Sequence, residues 1–231
     1  MKEQCQKVAS DPAHCQNYTQ TAKLWYTVSM KDNQFPKTQI SKQLLIGIIC
    51  SALNFAVYHL YSLILNPIPL YMDTLFTVTA SFFGAISGLL CAFVFHAFSI
   101  FFYNFPLYNL TWVICSFTVV LIIRLYISIR KKVEMLDIVL LVFLVALTIS
   151  IEGALIFTIL NFAVNYTEDS QVRFMFAFLS SNDLSTFISA LLPRVPVNIL
   201  DKGICVTLGY FSYKGSKKLI DKLQKPRAQK N

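Results

Sequence analysis

The amino-acid sequence predicts an all-α polytopic membrane protein with six transmembrane helices, the second and third of them short. Three observations predict it. Apolar residues make up 55% of the 231-residue chain and charged residues only 14%, and the mean hydropathy is +0.56; soluble domains carry about 25% charged residues. The stretch from Pro69 to Tyr103 is 35 residues long, and its only formal charge is Asp73. A helix needs about 20 apolar residues to cross the hydrocarbon core, so this stretch is too long for one ordinary span and slightly short for two. Third, the basic segments fall on one side of the membrane if, and only if, the stretch is counted as two.

Residues 1–42 form a polar arm, with Lys2, Lys7, Lys23, Lys31, Lys37 and Lys42 against Glu3, Asp11 and Asp32. It has no apolar h-region, so no cleaved signal peptide is expected. Gln20–Met30 reads as a short interfacial helix, with Trp25 and Tyr26 at headgroup level. Span one runs from Gln43 to Leu65, about 34 Å of helix. Asn66-Pro67-Ile68-Pro69 ends it, because proline cannot continue the hydrogen-bond ladder. Gly84 and Gly88 lie in the middle of Pro69–Tyr103 and let the chain reverse, which predicts helices over 72–83 and 85–103. One long tilted helix is the alternative. Asn104–Asn109 is a turn. Span four runs from Leu110 to Ser128 and meets Arg130-Lys131-Lys132. Span five, Met135–Val164, is longer than one crossing needs and should tilt or protrude. Asn165–Asp183 is a polar loop holding Glu168, Asp169 and Arg173, interrupted by the apolar run Phe174–Leu179. Leu184–Leu192 reads as a short interfacial helix, and span six as Pro196–Tyr213, opened by Pro193, Arg194 and Pro196.

With the N-terminus inside, six spans put the Arg130-Lys131-Lys132 cluster and the basic tail inside. The Glu168/Asp169 loop and the loops 65–69 and 104–109, which lack Lys and Arg, fall outside. That is the positive-inside pattern; five spans cannot produce it. The expected organisation is a cytoplasmic polar arm (1–42), a six-helix membrane domain (43–214) and a basic cytoplasmic tail (215–231), multi-pass in the plasma membrane. The last 18 residues hold seven basic side chains against Asp221 alone. Directly after an apolar helix this points to anionic lipid and not to nucleic acid. Cys50, Cys91, Cys115 and Cys205 sit inside apolar spans as small hydrophobes. Cys5 and Cys15 match no zinc spacing, and no metal or cofactor is expected.

Ionisable residues inside a membrane are costly and tend to mark function. At the helical rise, His59 lies about 24 Å, Glu152 about 26 Å and His96 about 17 Å above the inner end of their spans. Asp73 opens span two at the outer face, and Asp201 lies about 8 Å below the outer start of span six. Trp112 stands at the outer end of span four. Asp73, His96, Trp112, Glu152 and Asp201 are therefore the candidate substrate-binding residues of one outward-facing pocket. Each has a plainer alternative. The histidines can hydrogen-bond between helices, Asp73 can cap the helix that Thr74 begins, and Trp112 can belong to the interfacial belt. Asp201 and Lys202 can pair with each other or with Arg194. Glu152, a lone carboxyl among apolar neighbours, needs a partner or a proton. In span one, Ala52 and Ala56 are four residues apart, with Gly47 and Ser51 extending the small stripe. Such spacing lets helices approach closely, within the bundle or against a separate subunit. No His-Glu-x-x-His, Gly-x-Ser-x-Gly or phosphate-binding loop occurs, so an enzyme is not expected.

Ala52-Leu53-Asn54-Phe55-Ala56, Pro69-Leu70-Tyr71-Met72-Asp73-Thr74 and Phe83-Gly84-Ala85-Ile86-Ser87-Gly88 are similar to stretches of the substrate-binding (S) components of energy-coupling factor (ECF) transporters. Asp201-Lys202 resembles the Asp-Lys that opens that family's final helix. The likeness covers residues 43–214. Where many members have a glycine soon after Asp-Thr this chain has Phe76, and their Gly-Pro corner is here Phe83-Gly84. The resemblance implies capture of a vitamin or similar micronutrient from outside. It also implies docking on a transmembrane coupling subunit through Ala52 and Ala56, with two separate ATPase subunits supplying energy. A ligand-sensing membrane domain that signals through a partner protein is the alternative.

Overall fold

The computed structural model describes residues 37–64, 68, 70–130, 133–167 and 172–228. The chain divides into two units, Met1–Lys42 and Gln43–Asn231, and the second holds the helical bundle. The helix expected over Gln20–Met30, Cys5 and Cys15, Asn66 and Pro67, Lys131 and Lys132, and Glu168 and Asp169 lie outside the described residues.

Among the described residues the structure is all helix, without strands. The elements are α1 (Lys37–Ile64), α2 (Leu75–Phe83), α3 (Ala85–Tyr103), a 3-10 turn (Leu107–Trp112), α4 (Val113–Ile129), α5 (Met135–Val164), α6 (Arg173–Ser180) and α7 (Thr186–Ala228). Four stretches are long and apolar enough to cross a membrane: Ile40–Ile64, Ala85–Tyr103, Leu107–Ile129 and Met135–Val164.

The stretch Pro69–Tyr103 does break at Gly84, whose backbone is extended (φ −180°, ψ 163°), and one long tilted helix is excluded. The Ser87 hydroxyl donates to the Ala80 carbonyl at 2.7 Å and to the Gly84 carbonyl at 2.9 Å. The same two oxygens accept the Gly84 and Gly88 N–H groups at 3.0 and 3.2 Å, so the hydroxyl adds a further donor at the corner. Thr77 faces Cys91 (Oγ1–Sγ 3.5 Å), and Ser81 faces Gly88, so α2 and α3 form an antiparallel hairpin.

Cross-helix contacts set the remaining directions. Gly47 lies against Leu90, Phe55 against Phe98 and His59 against Tyr103, so α1 runs parallel to α3. Thr118 meets Glu152 and Tyr126 meets Asp137, an antiparallel α4–α5 pair. Ser150 meets Asn198 and Val142 meets Gly203, an antiparallel α5–α7 pair. Thr74 meets Lys202 and Phe82 meets Tyr213, so α2 runs parallel to α7. A Cβ on Gly209 would lie 2.7 Å from Val78 Cγ1 and 3.0 Å from the Leu75 carbonyl oxygen. Glycine is what lets α7 come this close to α2. The core between α2, α4, α5 and α7 is built from Val78, Val119, Ile123, Leu141, Val145 and Val206, all fully buried. The outer faces are as apolar as the core: Leu63, Leu125, Leu155, Ile159 and Leu200 are all exposed. A bundle that is greasy outside and partly polar inside suits lipid as its solvent.

Two expectations need correction. The break expected at Pro193–Pro196 is absent, and α7 is one helix from Thr186 to Ala228, about 64 Å long at the helical rise. A buried proline removes one N–H and crowds the carbonyl four residues back. Neighbouring helices can re-satisfy what is freed, and α7 packs along α5 and α2 over most of their lengths. The same helix runs on from the apolar residues into the basic tail, with Lys214 over the Tyr210 ring at 4.7 Å. The apolar run of the 165–183 loop is helix α6, which packs Phe176 on Phe157 at 5.0 Å between ring centroids and leaves Phe174 exposed.

Candidate functional site

By these directions the loops after α1, α3 and α5 share one end of the bundle. The first does not stay at that end. Residues 70–74 descend as non-helical chain between α1 and α7. The Tyr61 hydroxyl donates to the Ile68 carbonyl and accepts from the Leu70 N–H at 3.2 Å. Deeper, the Tyr71 and Met72 N–H groups donate to Asp201 Oδ1 at 3.0 and 2.7 Å. The Asn54 amide donates to the Asp73 carbonyl, and its oxygen accepts the Phe76 N–H at 2.9 Å. Asn54 lies ten residues before the end of α1, about 15 Å into the bundle. Non-helical backbone at that depth persists only where protein groups satisfy it. Asn54 and Asp201 supply those groups. Met72 is held at φ 52°, a left-handed conformation that few non-glycine residues adopt.

This descent relocates Asp73. The sequence places it at the outer face, as a candidate pocket residue or, in the plainer alternative, a cap on α2. In the structure it stands about 15 Å in, and the N-cap is Thr74, without a side-chain bond. Asn54, from another helix, does the capping. The Asp73 carboxylate instead takes the Lys202 ammonium at 2.9 Å. Lys202 also contacts Asp201 Oδ2 at 2.6 Å and the Thr74 hydroxyl at 3.0 Å. Asp201 and Lys202 are buried.

Above this ion cluster lies a cavity of about 240 Å³. Asp73, Thr74 and Lys202 form part of its lining, together with Tyr71 of the descending segment and Tyr58 of α1. From α3 come Phe95, His96 and Ser99, and from α4 Cys115, Ser116 and Val119. From α5 comes Gly153, and from α7 Arg194 and Asn198. Phe105, Asn109, Trp112 and Tyr166 close the loop end. His96 Nε2 pairs with the Ser116 hydroxyl at 2.8 Å, and the Arg194 guanidinium lies 5.9 Å from the Trp112 ring centroid.

Of the five candidate residues, the structure brings Asp73, His96 and Trp112 to this cavity. Asp201 does not line it and holds the descending segment from behind. Glu152 does not line it either. Its Oε1 accepts from Thr118 of α4 at 2.9 Å, and its Oε2 is buried without a hydrogen-bond partner among the described residues. His59 is bonded to the Tyr103 hydroxyl at 2.7 Å, within an aromatic cluster with Phe55 and Phe102. The small stripe of α1 splits. Gly47 and Ser51 are buried towards α3, while Ala52 and Ala56 are exposed.

Compared with protein-family models, with curated proteins and with solved structures, the chain matches none.

Sequence reasoning named Asp201 but left out the lining that α7 contributes, Arg194, Asn198 and Lys202. Arg194, Asn198, Asp201 and Lys202 recur at i, i+4, i+7 and i+8, the spacing of one helix face, and all four are buried. That polar stripe on an otherwise apolar helix was the available signal, since ionisable groups in membrane helices face the bundle interior. Chemically, the wall holds a carboxylate, an ammonium, a guanidinium, hydroxyls, an amide and an imidazole among aromatic rings. It has the means to hold and orient a small molecule.

Proposed function

We propose that the protein is the substrate-capturing membrane subunit of an ECF-type importer for a vitamin or similar micronutrient. In this reading it spans the plasma membrane six times with both termini cytoplasmic, and separate coupling and ATPase subunits energise it. The observation that carries the proposal is the cavity: polar and aromatic groups from five helices and the descending segment converge at the loop end of an apolar bundle. Ligand sites have this character, a few placed polar groups in a mostly apolar and aromatic wall. Exposed Ala52 and Ala56 fit a docking face on α1. The descending segment supports the second crossing. α2, at nine residues, covers only about 14 Å, and the descent to Asp73 has by then covered about 15 Å of the depth. A half-helical crossing is long enough where a nine-residue helix is not.

Native mass spectrometry of the freshly purified chain tests the capture reading. A stoichiometric small molecule that leaves on denaturation is the expected result. Protein that carries none, and gains none from a micronutrient library, would remove the proposal. For the topology, a cysteine at exposed Asn182 should react with an impermeant thiol reagent on intact cells, and one at Lys217 only after permeabilisation. Equal labelling of both on intact cells would rule out the six-span arrangement.

A further inference from the structure

The ion cluster at the cavity has a sign. An ammonium has three N–H donors and no acceptor. Lys202 donates to Asp73 at 2.9 Å and to the Thr74 hydroxyl at 3.0 Å, and it pairs with Asp201 Oδ2 at 2.6 Å. Two carboxylates against one ammonium leave the cluster with one excess negative charge. The burial is equally uneven: the Lys202 side chain is 3% exposed and that of Asp201 0%, whereas that of Asp73 is 28% exposed. The charge this cluster presents to the cavity is therefore the Asp73 carboxylate, with Oδ1 on Lys202 and acceptor capacity remaining on Oδ2. The other guanidinium or ammonium on the wall, Arg194, is 2% exposed and has Nη1 on the Ala190 carbonyl at 2.9 Å.

A second observation points to a ligand independently. Ser99 is 7% exposed and lines the cavity, yet its hydroxyl has no hydrogen-bond partner among the described residues. Buried hydroxyls are ordinarily paired, and Ser99 stands on the cavity wall. The size is restrictive too. At about 240 Å³ the cavity falls below the range of about 300–1,000 Å³ for ligand pockets. Tyr58, Tyr71 and Trp112 give the wall its aromatic character, with Lys202 over the Tyr71 ring at 6.0 Å and Arg194 over Trp112 at 5.9 Å.

We infer that the cavity selects a single-ring molecule carrying a cationic or strongly donating nitrogen group, read by Asp73, with Ser99 as a second polar contact. The inference rests on the reading of this cavity as the capture site.

Benzamidine, benzamide and benzoate have nearly one shape and are cationic, neutral and anionic near neutral pH. Calorimetric titration of the full chain in detergent with each is the test. Benzamidine should bind roughly tenfold to a hundredfold tighter than benzamide, the worth of a charge-assisted over a neutral hydrogen bond, and benzoate should bind weakest. Asp73→Asn should close the gap between the first two. The order itself is measured on the unaltered chain, so the test stands whether or not that variant folds. Benzoate binding as tightly as benzamidine overturns the inference, and so does a chain that binds none of the three. A large or anionic molecule co-purifying with the chain would overturn it while leaving the capture reading in place. The expected probe order in a chain that takes part in no uptake would support it and remove the importer reading.

Discussion

Replacing Lys202 by Met should destabilise the fold by about 3–5 kcal/mol, the cost of removing one partner from a buried ion pair. Methionine matches the length of the side chain, so the change isolates the charge. Without the ammonium, Asp201 keeps only the Tyr71 and Met72 N–H groups, in a site with no exposure, and Asp73 loses its cation a few ångströms away. For a chain of this size about 2–4 °C of thermal midpoint accompanies each kcal/mol, so a fall of roughly 6–20 °C is expected in detergent. Asp201→Asn in the same background should recover part of the loss. It removes one stranded charge and keeps an acceptor for the backbone donors. The double variant would then be more stable than Lys202→Met alone. A single variant as stable as the unaltered chain would mean that the cluster is solvated, and the argument from its net charge would fall with it.

Replacing both Ala52 and Ala56 by Trp should abolish uptake and co-purification with a coupling subunit, while the isolated chain still binds benzamidine. Contacts between helices in lipid depend on close backbone approach and dispersion, because lipid tails compete equally for apolar surface. Two indoles on that face hold a partner helix off by several ångströms, an estimate from side-chain size. Both alanines are exposed, on the side of α1 away from the cavity-lining Tyr58, so the ligand site should be undisturbed. Gly47→Trp is the contrast. A Cβ there already comes 2.9 Å from the Ser87 carbonyl oxygen, so that variant should fail to fold, whereas Ala52/Ala56→Trp should fold normally. Unchanged uptake in the double variant would remove the docking assignment. Aggregation of the isolated chain would make the alanines packing residues.

The sequence by itself determined the helices whose ends are written locally. Met135–Val164 matches the expected span to the residue. It closes on Asn165 at φ 52°, as α3 closes on Asn104 at φ 53°. Gly84 divides the second helix from the third where the length of Pro69–Tyr103 required a break. A helix satisfies its backbone donors within its own segment, so for helices apolar length and the punctuation by Gly, Pro and Asn carry enough information. Tertiary structure decided what depends on distant partners. The acceptor for the Tyr71 and Met72 N–H groups is Asp201, about 130 residues away in sequence. No local rule could place the 70–74 segment inside the bundle, or Asp73 at its depth. Glu152 faces Thr118 and not the cavity, although the adjacent Gly153 does line it. α5 is apolar all round and carries no amphipathic phase to say which way a given side chain points. α7 continues through two prolines because its packing against α5 and α2 outweighs a local preference to break.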